Sequence, residues 1–257
     1  MNKHSSHQNC NFLPKEQQHN SFHKKGKGTI YKLLRYKLKF KKNNPFKLVT
    51  FAKYPKILIH MKAVIIIISI VLLIAIAQIF ISRSTQQTEQ HSYKVIKKFD
   101  KFEIRKYEPA LFSSVKLNKK GYKESSSEGF GILAGYIFGA NEANQKIAMT
   151  SPVVMELGDT SKMMFMVPKN YNLKNLPNPK NSKIVFEKQE EKIIAAIRFD
   201  GWADDEKIEK YKSILMDELV KEKLNYINKF TFLGYNPPYE VMNRRNEVVV
   251  ELINYKL

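Results

Sequence analysis

The feature that most constrains this chain is an uncharged apolar run of 19 residues, Ala63 to Ile81. At about 1.5 Å per residue, a helix of this length extends roughly 28 Å, which matches the hydrocarbon core of a bilayer. A buried helix of a soluble protein normally has a polar face, whereas only Ser69 and Gln78 are polar here. The run therefore predicts one transmembrane helix, and membrane contact through residues 63–81.

Two patterns indicate whether this run is cleaved and how it is oriented in the membrane. Ala75 and Ala77 form an A-x-A pattern, as at a signal-peptide cleavage site. Because the apolar residues continue to Ile81 and about 60 residues precede the run, an uncleaved, single-pass anchor is favoured. The basic segment before the run predicts a cytoplasmic N-terminus and a C-terminal domain on the non-cytoplasmic, periplasmic side.

Residues 1–62 have the composition of a basic arm. They contain 15 of the 44 Lys and Arg residues and a single acid, Glu16. A disordered tail is the favoured interpretation, and a segment that lies on anionic lipid or nucleic acid is the alternative. Met61 stands directly before the apolar run, so translation that starts there is a third possibility. Since the excess charge belongs to this arm, no nucleic-acid partner is expected for the rest of the chain.

Residues 82–92 are predicted to be a polar linker, and residues 93–257 a folded α+β domain. Alternating apolar residues predict strands at about 93–99, 102–107, 110–117, 146–157, 162–168, 183–189, 192–199, 230–235 and 247–253. One helix is predicted at about 122–138, and a second begins near Asp204, where three acids favour a helix N-terminus.

The two halves of this domain are similar at an offset of 82 residues. Apolar positions in 102–117 fall on apolar positions in 184–199, and Leu133 of the first helix falls on Leu215 of the second. This weak internal repeat predicts two similar units that form one mostly antiparallel sheet, curved or closed, with two helices against it. Such a body has a natural cleft between helix and sheet.

Five segments resemble the SOUL/haem-binding protein family. They are FEIRKYEPALFSSVKL (102–117), GYIFGANE (135–142), IAMTSPV (147–153), RFDGWA (198–203) and LGYNPPYEVMNRRNEVVVEL (233–252). In this order they cover nearly all of the predicted domain, and the last segment is the most specific. The resemblance implies a distorted antiparallel β-barrel of two pseudo-repeats with two helices, preceded here by the transmembrane helix. It also implies a tetrapyrrole-binding role rather than a catalytic one.

A haem site needs an apolar slot, one or two cations for the carboxylates and optionally an axial ligand. The resemblance implies that the apolar face of the first helix lines the haem cleft. The corresponding residues here are Phe130, Leu133, Ala134 and Ile137. The alternative for these four residues is an ordinary helix-on-sheet core. Lys123 and Lys146 are the candidate cations, since the positions that are basic in some relatives are Ser127 and Gly135 here.

All six histidines precede residue 93, so the predicted domain offers no imidazole to iron. Met149 and Tyr136 are weak candidate metal ligands, although methionines in strands are more often core residues. The sequence therefore predicts a haem or related tetrapyrrole held by apolar contact, without a histidine axial ligand. The alternative is a module that binds another amphipathic ligand or a protein partner on the same scaffold.

The sequence contains little that indicates catalysis. Cys10 is the only cysteine, so a thiolate metal site and an intramolecular disulfide are excluded. No H-E-x-x-H, G-x-S-x-G or Walker motif is present. The segment GFGILA (129–134) satisfies G-x-G-x-x-A but lacks the preceding strand that a dinucleotide site requires. No enzymatic activity is predicted.

Overall fold

A computed structural model describes residues 55–158 and 160–256, so most of the basic arm lies outside the described residues. The helices in this part of the chain are α1 (Pro55–Gln87), α2 (Gly121–Ile137) and α3 (Asp205–Lys221). The strands are β1 (Tyr93–Lys98), β2 (Phe102–Tyr107), β3 (Ala110–Leu117), β4 (Val153–Glu156), β5 (Ser161–Met166), β6 (Ile184–Gln189), β7 (Lys192–Asp200), β8 (Thr231–Gly234) and β9 (Arg245–Glu251).

Helix α1 contains the apolar run. Over Ile59–Gln87 it is long and apolar enough to cross a membrane, and the apolar side chains along it are exposed. The helix continues through residues 82–87, the first part of the segment predicted to be a linker. Residue Gln90 then forms an isolated bridge with Ser151. The chain from the apolar run to the sheet is therefore a helix followed by a short, hydrogen-bonded connection.

The nine strands of the described residues form one antiparallel sheet in the order β1-β2-β7-β9-β8-β4-β5-β3-β6. Strands β1 and β6 each pair with a single neighbour among the described residues, so of the two expected forms, curved or closed, the sheet has the curved one, a curled half-barrel. The predicted strand at 146–157 is also too long, because the strand covers only Val153–Glu156, apart from the isolated bridge at Ser151. Pro152 has no N–H to donate, and the N–H of Ile147 donates to the carbonyl of Ile137 at 2.8 Å.

Each face of the sheet carries a buried hydrophobic cluster. Helices α2 and α3 pack on one face, where Leu133, Leu215 and Leu219 are fully buried. Because successive side chains of a strand point to opposite faces, Tyr107 and Phe112 belong to a second cluster on the face away from the helices. The α+β class and the two helices against one sheet are thus confirmed.

The second face holds a buried ionic network around Glu247. Its carboxylate accepts hydrogen bonds from Arg105 Nη1 (2.7 Å), Arg245 Nε (2.9 Å) and the Tyr235 hydroxyl (2.9 Å). Burial alone would raise the pKa of Glu247, but these bonds and the two guanidinium charges hold that pKa below its usual range. Since Arg105 is on β2 and Glu247 on β9, the network ties two strands together across β7.

Candidate functional site

Helix α2 is held firmly at both ends. Its first turn has no side-chain cap of its own. Instead the Asp205 carboxylate, at the start of α3, accepts hydrogen bonds from the backbone N–H groups of Tyr122 and Lys123. At the other end the N–H of Phe138 donates to the carbonyl of Ala134 at 2.9 Å, and Gly139 has a φ of 113°, which favours glycine. Both ends of α2 are therefore hydrogen-bonded to defined partners.

The four residues predicted to line a haem cleft do not share one environment. Leu133, Ala134 and Ile137 are 0%, 7% and 4% exposed and belong to the core between helix and sheet. Phe130 is 36% exposed, and its ring centroid lies 5.4 Å from that of Phe165. In this structure the helix-on-sheet interpretation describes the first three residues, and only Phe130 extends to the surface.

The outward side of α2 carries Phe130 together with residues that the sequence did not predict. We call Phe130, Gly131, Gly135 and Phe138 the α2 outer strip; the last three recur at spacings of four and three and so lie along one side of the helix, with Phe130 next to Gly131. A Cβ atom at Gly131 would meet nothing within 4 Å, and one at Gly135 only Ala140 Cβ at 4.0 Å. Phe138 is 62% exposed. A flat apolar molecule can therefore lie directly against the helix backbone.

A sequence signal for this strip was available. Glycine inside a helix costs about 1 kcal/mol relative to alanine, so two glycines within five residues of a 17-residue helix need a reason. Packing does not provide one, because neither Gly131 nor Gly135 is in close contact with another element.

Two lysines lie at the ends of this surface in sequence. Lys123 precedes Ser127 by one turn and Phe130 by two, which places it on the same side of α2, and it is exposed. Lys146 follows the helix and is also exposed. Neither ammonium group forms an ion pair with any residue that the structure describes. Both are thus available to a carboxylate of a ligand.

The candidate iron ligands are occupied or packed. The Tyr136 hydroxyl donates a hydrogen bond to the Pro177 carbonyl at 2.8 Å, and Tyr136 is 2% exposed. Burial raises the pKa of Tyr136 to about 12, which disfavours the phenolate that would bind ferric iron. Met149 is half-buried and packs against the core on the helix side of the sheet.

His91 lies inside the fold, although the predicted boundary at residue 93 had excluded it. Its ring packs edge-on against Tyr107 and Phe112, with centroids 4.7 and 5.4 Å away, and its Nε2 is hydrogen-bonded to the Glu108 carbonyl at 2.7 Å. Burial lowers the pKa of His91. Since these partners belong to the face of the sheet away from the helices, His91 and the α2 outer strip lie on opposite sides of the sheet.

A concave pocket of about 870 Å³ lies beside α3, between that helix and the ends of β4, β5 and β8. Ile208 and Phe232 contribute apolar walls. Lys162 and Lys212 also line it, but their ammonium groups are paired with Glu187 and Glu209, each at 3.0 Å. The pocket is therefore lined by both apolar and charged side chains, and these two lysines are paired with carboxylates.

Comparison with known proteins identifies the class. Residues 88–251, more than half of the chain, match the family described as SOUL heme-binding protein. The chain belongs to this family, which confirms the resemblance seen in the five sequence segments. The matched region begins before His91, in agreement with the place of that residue in the fold.

The sequence identity to individual relatives is low. The chain is 28% identical to Heme-binding protein 1 of Xenopus laevis over 172 residues, which cover 62% of this chain and 90% of that protein. It is 30% identical to Heme-binding protein 2 of Homo sapiens over 156 residues, or 57% of this chain and 76% of that protein. Among solved structures, the C-terminal domain of EcmrR aligns with a TM-score of 0.48 and 10% identity, covering 63% of this chain and 99% of that domain. This level of similarity does not establish a shared function.

Proposed function

We propose that this chain is a membrane-anchored protein that binds haem or a related tetrapyrrole on the α2 outer strip. Membership of the SOUL heme-binding family and the names of the relatives support the ligand class. The observation that carries the placement is the strip itself, where two exposed phenylalanines flank Gly131, at which a Cβ atom would meet nothing within 4 Å. A binding role, and not a catalytic one, agrees with the names of the relatives.

The dimensions and chemistry of the strip suit a porphyrin. Phe130 and Phe138 are eight residues apart, or about 12 Å along the helix, a span comparable to the width of a porphyrin ring. Their rings can contact the macrocycle over Gly131, while Lys123 or Lys146, which lie toward opposite ends of the strip, can neutralise the carboxylates at one edge of the ring. Leu133 and Ile137 support the strip from the core side. Because His91 lies across the sheet, we propose that apolar contact and not an axial histidine holds the ligand.

Helix α1 supplies the anchor in this proposal. We propose that it crosses the bilayer once and is retained, that residues 1–62 form a basic cytoplasmic arm, and that the domain from about residue 93 lies on the opposite side. The length and apolar surface of α1 support the span, and the positive-inside tendency supports the orientation.

We further propose that the two halves of the domain are pseudo-repeats. Exchange of β2 with β6, β3 with β7, β4 with β8 and β5 with β9 turns the order of these eight strands into its own reverse. Strands β2 and β6 begin at Phe102 and Ile184, which matches the offset of 82 residues seen in the sequence. Both observations support a duplicated unit.

The placement is tested with hemin and the detergent-solubilised full chain. Gly131→Leu adds a side chain to the centre of the strip where the structure has open space, so we expect folding to be preserved and hemin affinity, followed in the Soret region, to fall at least tenfold. Lys210→Leu adds the same side chain to the exposed surface of α3 and should leave affinity unchanged. Equal affinities in the two folded variants would place the ligand elsewhere.

The pocket beside α3 favours a second candidate function, the binding of another amphipathic ligand. Its volume of about 870 Å³ and its apolar walls suit such a molecule. Thr160 is an exposed residue of the rim, so Thr160→Trp should fill the pocket without disturbing the core. If hemin binding is lost in Thr160→Trp and kept in Gly131→Leu, the pocket is the site. If neither variant changes hemin binding, neither surface is the hemin site. The pocket would then remain a candidate only for an amphipathic ligand other than haem.

A further inference from the structure

One stripe of α1 is polar where the apolar run ends. Gln78, Ser82 and Thr85 recur at spacings of four and three and are half-buried, whereas the residues between them are mostly exposed. All three side chains are hydrogen-bonded to the loop of residues 235–244, which we call the β8–β9 loop. This stripe therefore forms a hydrogen-bonded contact between the helix and a loop about 160 residues away in sequence.

The contact uses both ends of the Gln78 amide. Its Nε2 donates to the Tyr239 carbonyl at 3.2 Å, and its Oε1 accepts from the backbone N–H of Val241 at 3.0 Å. A polar side chain inside an apolar span needs partners of this kind, because lipid provides none. The loop thus satisfies the one polar residue in the second half of the apolar run.

The loop is fixed by a buried carboxylate and a buried guanidinium. Glu240, 2% exposed, accepts hydrogen bonds from the hydroxyl groups of Ser82 and Thr85. Arg244 Nη1 donates to the carbonyls of Pro237 (2.9 Å) and Glu240 (2.6 Å). The polar groups of the loop consequently point inward, toward the helix and the domain.

Apolar side chains of the same loop point outward. Tyr239, Val241 and Met242 are 65%, 60% and 57% exposed. Beside them Trp202 is about half exposed, and its ring lies 4.0 Å from the Arg244 guanidinium carbon. Tyrosine and tryptophan at the edge of an apolar surface are typical of the boundary between lipid and water.

We propose that the β8–β9 loop is a second membrane contact, which inserts Tyr239, Val241 and Met242 into the leaflet where α1 ends. This inference depends on the proposed span of α1. Gln78 precedes Ile81, the last apolar residue of the run, by about 4.5 Å along the helix. Its bonds to the loop place the Tyr239–Val241 backbone at the depth of Gln78, beneath the boundary set by Arg83. The occupant of this surface is the lipid that surrounds α1.

The test uses full-length chain in lipid nanodiscs that contain acyl-brominated phospholipid, which quenches nearby tryptophan. Trp202 is the only tryptophan, so Trp202→Phe gives a silent background. Val241→Trp in this background reports on the loop, and Phe80→Trp reports on α1. Ile227→Trp is the control, because Ile227 is similarly accessible and is hydrogen-bonded to Glu251, about 20 Å along β9 from the loop.

We expect the Val241→Trp variant to be quenched at least half as strongly as the Phe80→Trp variant, and the Ile227→Trp variant to be unquenched. Quenching at residue 80 with residue 241 no different from residue 227 would overturn the loop contact and leave the anchor intact. Absence of quenching at residue 80 would overturn the anchor, and the loop contact with it. These outcomes separate the failure of the inference from the failure of the proposed function.

A measurement on the unaltered chain covers the case in which the tryptophan variants misfold. Met242 is more exposed than Met216, which is half-buried on α3. A membrane-impermeant oxidant should nevertheless modify Met242 several-fold more slowly than Met216 in nanodiscs. Faster oxidation of Met242 would show that the loop faces water, as it would if the surface served a soluble protein partner.

Discussion

Helices α2 and α3 have the same length, 17 residues, and pack on the same face of one sheet, yet they present different surfaces to solvent. Their inner faces are alike, since Leu133 on α2 and Leu215 on α3 are both fully buried. The outer face of α3 carries charged residues such as Lys210, whereas α2 has the outer strip with Gly131 at its centre. Folding explains the shared inner faces and leaves the α2 outer strip unexplained, which is why we assign the ligand to it.

The largest effect should come from the inner faces. Leu133→Ala and Leu215→Ala each remove a fully buried side chain, so each should lower the free energy of unfolding by about 2–5 kcal/mol. Chemical denaturation of the detergent-solubilised chain measures both. Phe130→Ala is the matched control on the outer side, where we expect a smaller loss. A loss at Leu133 well below that at Leu215 would break the equivalence of the two helices.

A smaller effect distinguishes how the two helices begin. The Asp204 carboxylate accepts a hydrogen bond from the N–H of Lys207, in the first turn of its own helix, at 2.7 Å, whereas Asp205 caps the other helix, α2. Asp205→Ala and Asp204→Ala should each cost about 1 kcal/mol. Hydrogen exchange tells them apart, because only Asp205→Ala should speed exchange at the amide of Lys123. Unchanged exchange there would show that α2 begins without this carboxylate.

The smallest effect concerns the face of the sheet that neither helix covers. Burial lowers the pKa of His91 below 6.5, so the folded state binds this proton less readily than the unfolded state. His91 therefore does not lower the stability of the fold above about pH 6.5, and the stability declines as the pH falls below that value, where the unfolded state takes up the proton more readily. Thermal melts between about pH 7.5 and 5.5 should show this decline, and His91→Phe should flatten it. An equally steep decline in the variant would assign it to other groups.

Much of the fold could be predicted from the sequence because its signals are local. The predicted strands at 102–107 and 110–117 agree with β2 and β3, and the predicted helix at 122–138 is one residue from α2 at both ends. Alternation and helical spacing are properties of neighbouring residues, so they can be recognised without knowledge of the rest of the chain. The family could be predicted for the same reason, since its five segments are contiguous.

The site could be predicted only in part. Apolar spacing identified four residues, of which Leu133, Ala134 and Ile137 pack in the core and Phe130 belongs to the proposed site; periodicity does not detect the glycines of the outer strip. The boundary at residue 93 missed His91 because its neighbour Gln90 joins the fold through backbone pairing with Ser151, which leaves no hydrophobic pattern. The contact between Gln78 and Tyr239 joins residues 161 positions apart. Such contacts depend on tertiary structure and leave no local signal.

The carboxylate of Asp205 has a consequence for how the domain can be divided. It belongs to the second half of the chain and completes the first turn of a helix in the first half. The strands of the two halves also meet side by side at β4 and β8. A fragment cut between residues 168 and 184 would leave α2 with open amides and β4 with an open edge. The two halves therefore form a single cooperative unit, in which neither is an independent module that a gene fusion or truncation could carry away intact.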